Sequence, residues 1–543
     1  MGFIQDNFRL VYIGVAAAIY LRPGYVIFNS KILTIIVYFT ILTLSKLIYQ
    51  LTLYPAFFTP IKHIQTPGTR NWLRGNTKSV FLETPHELLK QWVKELPNQG
   101  LIRYYIVMNM ERVILTSPKA LSELLVTKNY DFEKPKTVRQ SLRRVVGDGV
   151  LLTEGDEHKL QRKNLMPAFA YRHIKNLYPV FWAKSREMVE LIQQDLENRE
   201  SPDDNIIQVR TWASRATLDI IGVAGMDHDF DSLRDPFNKL NKSYQRIFST
   251  PSIATKILFI VAILMGTLTF IQKLPTQRNK DIEEGGAVIR NVARQMIQQK
   301  KEKMKDPKSE TGVDIISVAM ANGTFDDENL VDQLMTFLGA GHETTATALQ
   351  WAVYALCKNP DVQTRLREEI RANLPPLSSS DAKSLDAAQI DNLPYLNAVS
   401  NEVLRFHPSV PNTVRVAAKD TTLLGQPIPK GTFFLISPEV INHMEEFWGP
   451  DADKFNPDRF MGEGKANNGG ATSNYAFLTF IHGPRSCIGQ GFAKAELACL
   501  LAAVVGRFQF ELKDPDAKLE LMEGATVSPK DGVIAKFTPV EGW

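Results

Sequence analysis

Residues 480–489, near the C-terminus, place one cysteine among glycine, arginine and phenylalanine at regular spacings. The segment reads FIHGPRSCIG and fits the pattern F-x-x-G-x-R-x-C-x-G, in which the cysteine is Cys487. A cysteine thiolate can be the axial ligand of a heme iron, where it favours cleavage of an O–O bond. We therefore predict that Cys487 binds a heme. The alternative is a structural cysteine in a glycine-rich turn, because free cysteine is usually a small core residue.

The residues around this cysteine suit a metal-bound thiolate. Gly483 and Gly489 let the backbone turn tightly and approach a flat ring without a Cβ clash. Arg485 is expected to pair with a heme propionate through charge-assisted hydrogen bonds, and Phe480 to pack on the ring beneath the iron. An apolar helical run follows at residues 492–505, and its N-terminus adds positive partial charge near the sulfur.

A second motif, AGHETT at residues 340–345, lies within a long apolar stretch without proline, residues 330–356. Such a stretch predicts a buried central helix. Gly341 and the nearby threonines weaken helix propensity in its middle, so we expect a local opening of the helix there that holds water. The alternative is a regular helix whose threonine hydroxyls bond to the carbonyls four residues earlier.

The third motif is Glu402-x-x-Arg405, within a predicted helix at residues 393–406. The i,i+3 spacing puts both side chains on one helix face. As an isolated pair this is weak evidence, because most such pairs are solvated and contribute less than about 1 kcal/mol.

Together these motifs resemble those of the cytochrome P450 family of heme-thiolate monooxygenases, and the resemblance covers nearly all of the chain after about residue 55. It implies a cytochrome P450 fold, mostly α with a small β subdomain. It also implies that Glu343 and Thr344 form the acid–alcohol pair that delivers protons during dioxygen activation. In this family the Glu402–Arg405 pair is buried and locks to an arginine of a later loop, here Arg459.

The resemblance implies further contacts to heme b. His158 and Arg162 occupy the positions of a W-x-x-x-R motif, with histidine in place of tryptophan, and Arg415 matches a third propionate-binding position. A surface arginine is the alternative for Arg162 and Arg415. Ala340 is placed on the distal face of the heme. The expected substrate-lining residues are Phe337, Val410, Thr413, Ala525 and Thr526. Since most of them are apolar, a lipophilic substrate is expected.

The implied activity is insertion of one oxygen atom from O2 into a lipophilic small molecule, by hydroxylation or a related oxidation. The sequence looks similar to fungal members that tailor terpenoids, polyketides or alkaloids, and it implies electrons from NADPH through a separate flavoprotein reductase. Candidate docking residues for this reductase, unless they form an ordinary solvated face, are Lys159, Arg162, Lys163 and Lys494. Two other classes stay open: a heme-thiolate isomerase or dehydratase that does not use O2, and a non-catalytic heme-binding sensor.

Composition is consistent with one large catalytic domain, which we place at residues 55–543. No proline- or glycine-rich linker divides this region. The 543 residues include 63 basic and 59 acidic residues, a net charge of only +4, so nothing suggests nucleic-acid binding. The three cysteines, a low and odd number, argue against a disulfide framework and for a reducing compartment.

The first 54 residues are predicted to anchor the chain in a membrane. Residues 32–53 are long and apolar enough for one transmembrane span, and the shorter apolar run at residues 10–21 is a second span, a re-entrant segment or a signal-peptide core. The basic residues at the C-terminal flank are Lys46, Lys62, Arg70 and Arg74. By the positive-inside rule they place the catalytic domain in the cytosol, and the family resemblance makes the endoplasmic reticulum the expected membrane.

A further apolar segment, residues 252–270, has Lys256 as its only charged residue. In the family this segment lies between the two helices that roof the active site. We hypothesise that it dips into the bilayer and takes lipophilic substrate from it, since exposed apolar patches often mark membrane contact. Ordinary core packing is the alternative.

Overall fold

The chain folds into a mostly helical structure with several small β-sheets, as the sequence predicts. The computed structural model describes residues 2–21, 30–68, 71, 75–76, 85–97, 99–199, 205–249, 252–265, 268–305, 314–321, 323–379 and 385–543. Arg70 and Arg74 of the predicted membrane flank lie outside these ranges.

The helices and strands are numbered in chain order. The α-helices are α1 (Gly2–Leu21), α2 (Lys31–Ile48), α3 (Pro85–Glu95), α4 (Pro118–Ser122), α5 (Lys136–Val146), α6 (Gly155–Leu165), α7 (Tyr171–Ile174), α8 (Tyr178–Glu197), α9 (Val209–Met226), α10 (Lys239–Ile247), α11 (Ile253–Met265), α12 (Thr269–Gln272), α13 (Gln277–Met304), α14 (Ile315–Ala321), α15 (Asp327–Lys358), α16 (Pro360–Asn373), α17 (Ala387–Asp391), α18 (Pro394–Phe406), α19 (Pro438–Ile441), α20 (Glu445–Trp448) and α21 (Gln490–Arg507). The strands are β1 (Leu101–Ile106), β2 (Met110–Leu115), β3 (Phe132–Glu133), β4 (Ile206–Gln208), β5 (Thr413–Ala417), β6 (Thr421–Leu423), β7 (Gln426–Ile428), β8 (Phe433–Ile436), β9 (Phe508–Leu512), β10 (Leu521–Glu523), β11 (Val527–Pro529) and β12 (Ile534–Pro539).

The chain divides into two compact units, residues 1–133 with 412–440, and residues 134–411 with 441–543. The first unit contains a five-stranded sheet in the order β1-β2-β8-β5-β3. Strands β1 and β2 form an antiparallel hairpin, and β8 runs parallel to β2. Strand β5 pairs antiparallel with β8 and brings Arg415 opposite Phe434. Because β1 is buried along its whole length, this sheet is part of a core.

The predicted membrane span is one continuous helical segment in the first unit. Helix α2 passes directly into the π-helix Tyr49–Phe58, and the resulting 28-residue segment is the one helix in the described ranges that is long and apolar enough to cross a membrane. In a regular α-helix Pro55 would clash with the carbonyl of Leu51. Here Pro55 lies in a π-helix, whose turn is wider than that of an α-helix. The Asn109 Nδ2 donates to that Leu51 carbonyl at 2.6 Å. The segment therefore continues past the predicted boundary at residue 54 and contacts the β1–β2 hairpin.

The second unit is built around α15, a helix of 32 residues. Its N-terminus is capped by Asp326, whose carboxylate accepts a hydrogen bond from the Asn329 N–H at 2.8 Å. Helices α9 and α21 pack against α15, and α8 packs against α21. The three-stranded sheet β4-β12-β9 and the hairpin β10-β11 also belong to this unit. Because α21 begins three residues after Cys487, this packing positions the cysteine loop relative to the AGHETT motif on α15.

Candidate active site

The cysteine loop is held in a tight backbone conformation. The Cys487 N–H donates to the carbonyl of Phe480 at 2.8 Å, and the Ser486 N–H donates to that of Gly483 at 3.0 Å. Gly483 has a φ of +80°, and Ile481 has a φ of +57°. A β-branched residue in the left-handed region is strained, and such strain persists only where the surrounding structure imposes it. The loop thus restricts Cys487 to a narrow range of orientations.

The Cys487 side chain is exposed, although the protein surrounds it closely enough that desolvation raises the pKa of its thiol. This combination is expected of a side chain that faces an internal cavity. A hydrogen bond from the Gly489 backbone and the positive charge of Arg162 oppose this shift and lower the pKa. Arg162 is fixed beside the loop by hydrogen bonds to the carbonyl and the hydroxyl of Ser486, the latter at 3.2 Å. These donors fit a metal-bound thiolate, since N–H groups and positive charge favour the ionised sulfur.

Arg485 has a partner that the sequence did not indicate. Its guanidinium forms an ion pair with Glu154, and the Arg485 side chain is almost fully buried. Glu154 also accepts a hydrogen bond from the Lys134 N–H at 2.9 Å. Arg485 is therefore charge-paired within the protein itself, and the expected heme propionate would be a second anionic partner.

The other predicted heme contacts occupy largely buried positions. His158 is 2 % exposed and lies one turn before Arg162 on α6, so the two share a helix face. Arg415 belongs to the other unit. It is buried in β5, where its Nη1 donates to the Val414 carbonyl at 2.8 Å and to Thr413 Oγ1 at 3.2 Å. The role of these side chains toward heme propionates stays a prediction.

The middle of α15 has one open face in an otherwise buried helix. Ala340 is exposed, and Gly341 and Thr344 are half-exposed. Most of their neighbours are buried, including Phe337, whose ring meets that of Phe169 edge-on at 5.4 Å. Because residues i and i+4 share a helix face, Ala340 and Thr344 face the same open space.

The predicted local opening of this helix is wrong. Helix α15 continues through residues 340–345 without interruption. The Thr344 hydroxyl donates to the Ala340 carbonyl at 2.8 Å, and the Thr345 hydroxyl makes a longer bond of 3.4 Å to the Gly341 carbonyl. Hydroxyls that are satisfied by their own helix do not require a break in it. The Thr344 oxygen retains lone pairs, so a water or ligand on the open side can donate to it.

Glu343 is a buried carboxyl with altered acidity. Desolvation raises its pKa to about 7, partly offset by the charge of Arg210 and a hydrogen bond from Thr526. That hydrogen bond is long, with 3.4 Å between Thr526 Oγ1 and Glu343 Oε1. A carboxyl whose pKa is near neutrality can both hold and release a proton at physiological pH. The environment of Glu343 therefore suits proton transfer beside Thr344.

The turn between β10 and β11 is fixed against α15. The Val527 N–H donates to the Ser409 carbonyl at 2.9 Å, and the Val527 carbonyl accepts from the Trp351 indole at 2.8 Å. The Ser409 hydroxyl in turn donates to the Thr344 carbonyl at 2.9 Å. These bonds hold the segments around Ser409 and Val527 next to the AGHETT motif of α15. Both segments adjoin residues that we expected to line the substrate pocket. The predicted lining residues range from buried (Phe337, Thr526) through half-buried (Val410, Thr413) to exposed (Ala525).

The third motif forms a buried ionic set. Arg405 donates to both carboxylate oxygens of Glu402, at 2.6 and 2.8 Å, and both side chains are fully buried. Arg459 lies 3.3 Å from the same carboxylate and 3.0 Å from that of Asp451. Other N–H groups of Arg405 donate to the carbonyls of Asn442, Ala452 and Lys454. The set therefore ties α18 to the chain that leads into the cysteine loop.

The cationic residues considered for reductase docking differ in accessibility. Lys494 is partly enclosed, with its Nζ 5.4 Å from the ring centroid of Phe477 and 5.9 Å from that of Phe480. Desolvation lowers its pKa to about 8. Lys159 and Lys163 are exposed. Lys494 is thus partly enclosed whereas Lys159 and Lys163 are accessible, and a role of these residues in reductase docking stays a prediction.

Comparison with known proteins agrees with this site. The sequence matches the family model described as cytochrome P450 over residues 66–537. It is 64 % identical to the cytochrome P450 monooxygenase sphH of Aspergillus fumigatus over the full length of both chains. It is 40 % identical to the cytochrome P450 monooxygenase FUM15 of Gibberella moniliformis, over 92 % of this chain and 91 % of that one. It is 38 % identical to the cytochrome P450 monooxygenase FSL4 of Gibberella zeae, over 91 % of each chain.

The helical fold and the cysteine loop define an oxidoreductase of the heme-thiolate class. The chain belongs to the cytochrome P450 family and is a monooxygenase of that family. Membership implies a heme bound through a cysteine thiolate, and the accessible thiol of Cys487 with its N–H and guanidinium neighbours suits that ligand.

Proposed function

We propose that this monooxygenase inserts one oxygen atom from O2 into a lipophilic intermediate of secondary metabolism, such as a terpenoid, polyketide or alkaloid. Its electrons come from NADPH through a separate flavoprotein reductase. One observation carries the dependence on O2: α15 places a buried carboxyl whose pKa desolvation raises to about 7, Glu343, next in sequence to Thr344, whose side chain lies on the open face of the helix. The similarity to Aspergillus and Gibberella monooxygenases supports a role in a fungal biosynthetic pathway.

The residues of the site have separable roles. When bound, the heme supplies the redox chemistry that activates O2. Cys487 holds the metal, and the Gly489 N–H and Arg162 stabilise its thiolate. Glu343 holds and releases a proton on a carboxylate oxygen, and Thr344 Oγ1 accepts a hydrogen bond from a water on the open side of α15 and so positions that water for proton delivery. The apolar lining orients a lipophilic substrate and excludes water from the reacting groups.

The carbon monoxide difference spectrum of the reduced protein tests the ligand assignment. The wild type should show the long-wavelength Soret band of thiolate-ligated heme, and Cys487→Ser should lose it. Cys357→Ser is a matched control, because Cys357 is a half-buried thiol on α15 whose pKa burial raises to about 12, which disfavours the thiolate. A Cys487→Ser protein that keeps the band would overturn the assignment.

Metabolite profiles of a host with and without this chain test the reaction. The substrate should accumulate in the host that lacks the chain, and a product with one added oxygen atom should appear in the other. Growth under isotopically labelled O2 should place one labelled atom in that product. A product without label would instead favour an isomerase or dehydratase, and a failure to consume NADPH with reductase present would favour a heme-binding sensor.

We also place the chain in the membrane of the endoplasmic reticulum with its catalytic part in the cytosol. The helical segment Lys31–Phe58 carries exposed apolar side chains along its length, among them Ile36, Phe39 and Ile41. Such a surface is suited to lipid. Microsomes washed with alkaline carbonate should retain the full chain in the pellet, and its release into the supernatant would contradict the anchor.

Helix α11 is a second candidate for contact with the bilayer. Ile253, Ile257 and Val261 are exposed and lie at i,i+4 spacing on one face, as expected of a lipid-facing stripe. Ala262 lies on another face and packs in a small core with Leu268. The face of α11 with Ala262 thus packs in a core. The face with Ile253, Ile257 and Val261 is available to contact lipid, from which a lipophilic substrate would enter the protein.

A further inference from the structure

The two N-terminal helices contact each other near the middle of α1 and near its C-terminal end. The ring of Tyr12 on α1 lies 4.2 Å from that of Phe39 on α2, and the Tyr12 hydroxyl shares a hydrogen bond of 2.9 Å with Thr43 Oγ1. Toward the other end, Lys31 Nζ donates to the Tyr20 carbonyl at 3.4 Å. Positions that rise along α1 meet positions that fall along α2, so the helices are antiparallel.

We propose that α1 and α2 form a helical hairpin that crosses the bilayer twice and leaves the Gly2 end of α1 on the same side as the catalytic part. This inference rests on the membrane anchor proposed above and adds a second crossing to it. Helix α1 has 20 residues, which at 1.5 Å per residue is about 30 Å, the thickness of the hydrocarbon core. Its backbone is therefore long enough to cross. Its apolar part, Tyr12–Leu21, is shorter than a full span, so the crossing depends on the antiparallel pairing of α1 with α2.

The distribution of charge along the pair agrees with two crossings. The sequence places Asp6 and Arg9 in the first turns of α1, and the antiparallel register brings these turns level with the part of α2 that contains Lys46. At the opposite end Lys31 satisfies a terminal carbonyl of α1 and lies over the Tyr20 ring at 4.6 Å. Tyrosine and lysine are typical of a membrane interface. No charged residue thus lies among residues 10–21 of α1 or 32–45 of α2.

Several hydroxyl groups between these ends are bonded within the pair of helices. In hydrocarbon an unsatisfied polar group is costly, so each must find a partner in the protein. Thr40 and Thr43 donate to the carbonyls four residues earlier, Ile36 and Phe39, at 2.8 and 2.7 Å. The partner of Tyr12 is supplied by Thr43 of the other helix. Interhelical bonds of this kind hold membrane helices together, which explains why a helix with a mid-length tyrosine stays beside α2.

Glycosylation mapping of the full chain in microsomes tests the hairpin. An N-glycosylation acceptor on a flexible spacer is placed either before Gly2 or between Leu21 and Ser30, and the mass shift is scored before and after endoglycosidase treatment. The wild type already contains Asn-x-Ser/Thr sites at Asn241 and Asn322, so each shift is compared with the wild type, which should itself be unmodified if the catalytic part is cytosolic.

The hairpin predicts that only the acceptor between the helices is glycosylated. Modification at both positions would mean that α2 alone crosses, and would overturn the hairpin while leaving the anchor in place. Modification at neither position would overturn both. As a control for acceptor competence, deletion of residues 2–21 should transfer the N-terminal acceptor to the lumen and cause its glycosylation. Carbonate extraction scores the anchor separately, so the two proposals fail in distinguishable ways.

Discussion

The carboxylate of Glu402 is shared by two buried guanidinium groups, and its removal should be costly. Within the described ranges it is the acidic partner of Arg405, whose other donors reach backbone carbonyls. Glu402→Ala leaves this cation in the interior without its counter-charge. Breaking a buried ion pair by removing one partner costs about 3–5 kcal/mol, a large fraction of the roughly 5–15 kcal/mol that stabilises a folded protein. We expect Glu402→Ala to yield misfolded, heme-poor protein.

Two variants calibrate this expectation. Glu402→Gln keeps the volume and one acceptor oxygen and should lose less stability than the alanine variant. Asp458→Ala removes a surface pair next to Arg459. Asp458 lies 2.7 Å from Arg365, but the side chains are 58 % and 49 % exposed, so the loss should be about 1 kcal/mol or less. Heme per protein from the carbon monoxide spectrum, and the urea midpoint from circular dichroism, report both effects. A Glu402→Ala protein with wild-type heme content and midpoint would refute the reasoning.

Three further expectations concern α15 and α11. Because burial raises the pKa of Glu343 to about 7, the native chain keeps a proton that the unfolded chain releases at lower pH. The retained proton adds about 3 kcal/mol to the free energy of unfolding at acidic pH, and this contribution to stability is lost as the pH rises through the native pKa. Glu343→Gln should flatten this dependence in thermal unfolding between about pH 5 and pH 8, and an unchanged slope would contradict it. Thr344→Ala should lower product formed per NADPH at least tenfold, on the order expected for a lost proton donor, with matching release of hydrogen peroxide. Thr364→Ala, which removes an equivalent hydroxyl–carbonyl bond on α16, should leave this ratio unchanged. Ile257→Lys with Val261→Lys should reduce flotation with lipid vesicles of a chain that lacks residues 1–48, and equal flotation would assign α11 to the core.

The features that the sequence predicts best are those encoded within a few consecutive residues. The spacing of Glu402 and Arg405 requires only helix geometry to bring the two side chains together. The glycine at position 483 is needed for the positive φ of the cysteine loop, and the run without proline around residue 340 specifies a long buried helix. Each of these follows from local backbone rules and from hydrophobic patterning.

Contacts between distant residues could not be predicted in this way. The ion pair of Arg485 with Glu154 and the contact of Thr526 with Glu343 join residues that only tertiary packing brings together. The position of Lys494 beside the rings of Phe477 and Phe480 has the same origin, because an isolated lysine in a helical pattern gives no sign that aromatic rings will lie next to it. An opening of α15 was expected from weak helix propensity, but tertiary packing overrides that propensity. The helix also stays regular because the threonine hydroxyls bond to carbonyls of the same helix.

The end of the proposed membrane segment has a practical consequence for truncated versions of this protein. The Leu51 carbonyl accepts from Asn109, and the Thr59 hydroxyl donates to Glu111 at 2.9 Å, so these last turns are built into the first unit. A shortened chain for expression in water should therefore start no later than Tyr49. A chain that starts at Phe58 would lack the Leu51 carbonyl that accepts from Asn109 and would expose the β1–β2 hairpin. In the intact protein the same two bonds fix the end of the helical segment Lys31–Phe58 to the β1–β2 hairpin, so the membrane span that we propose would set the distance between that hairpin and the lipid headgroups.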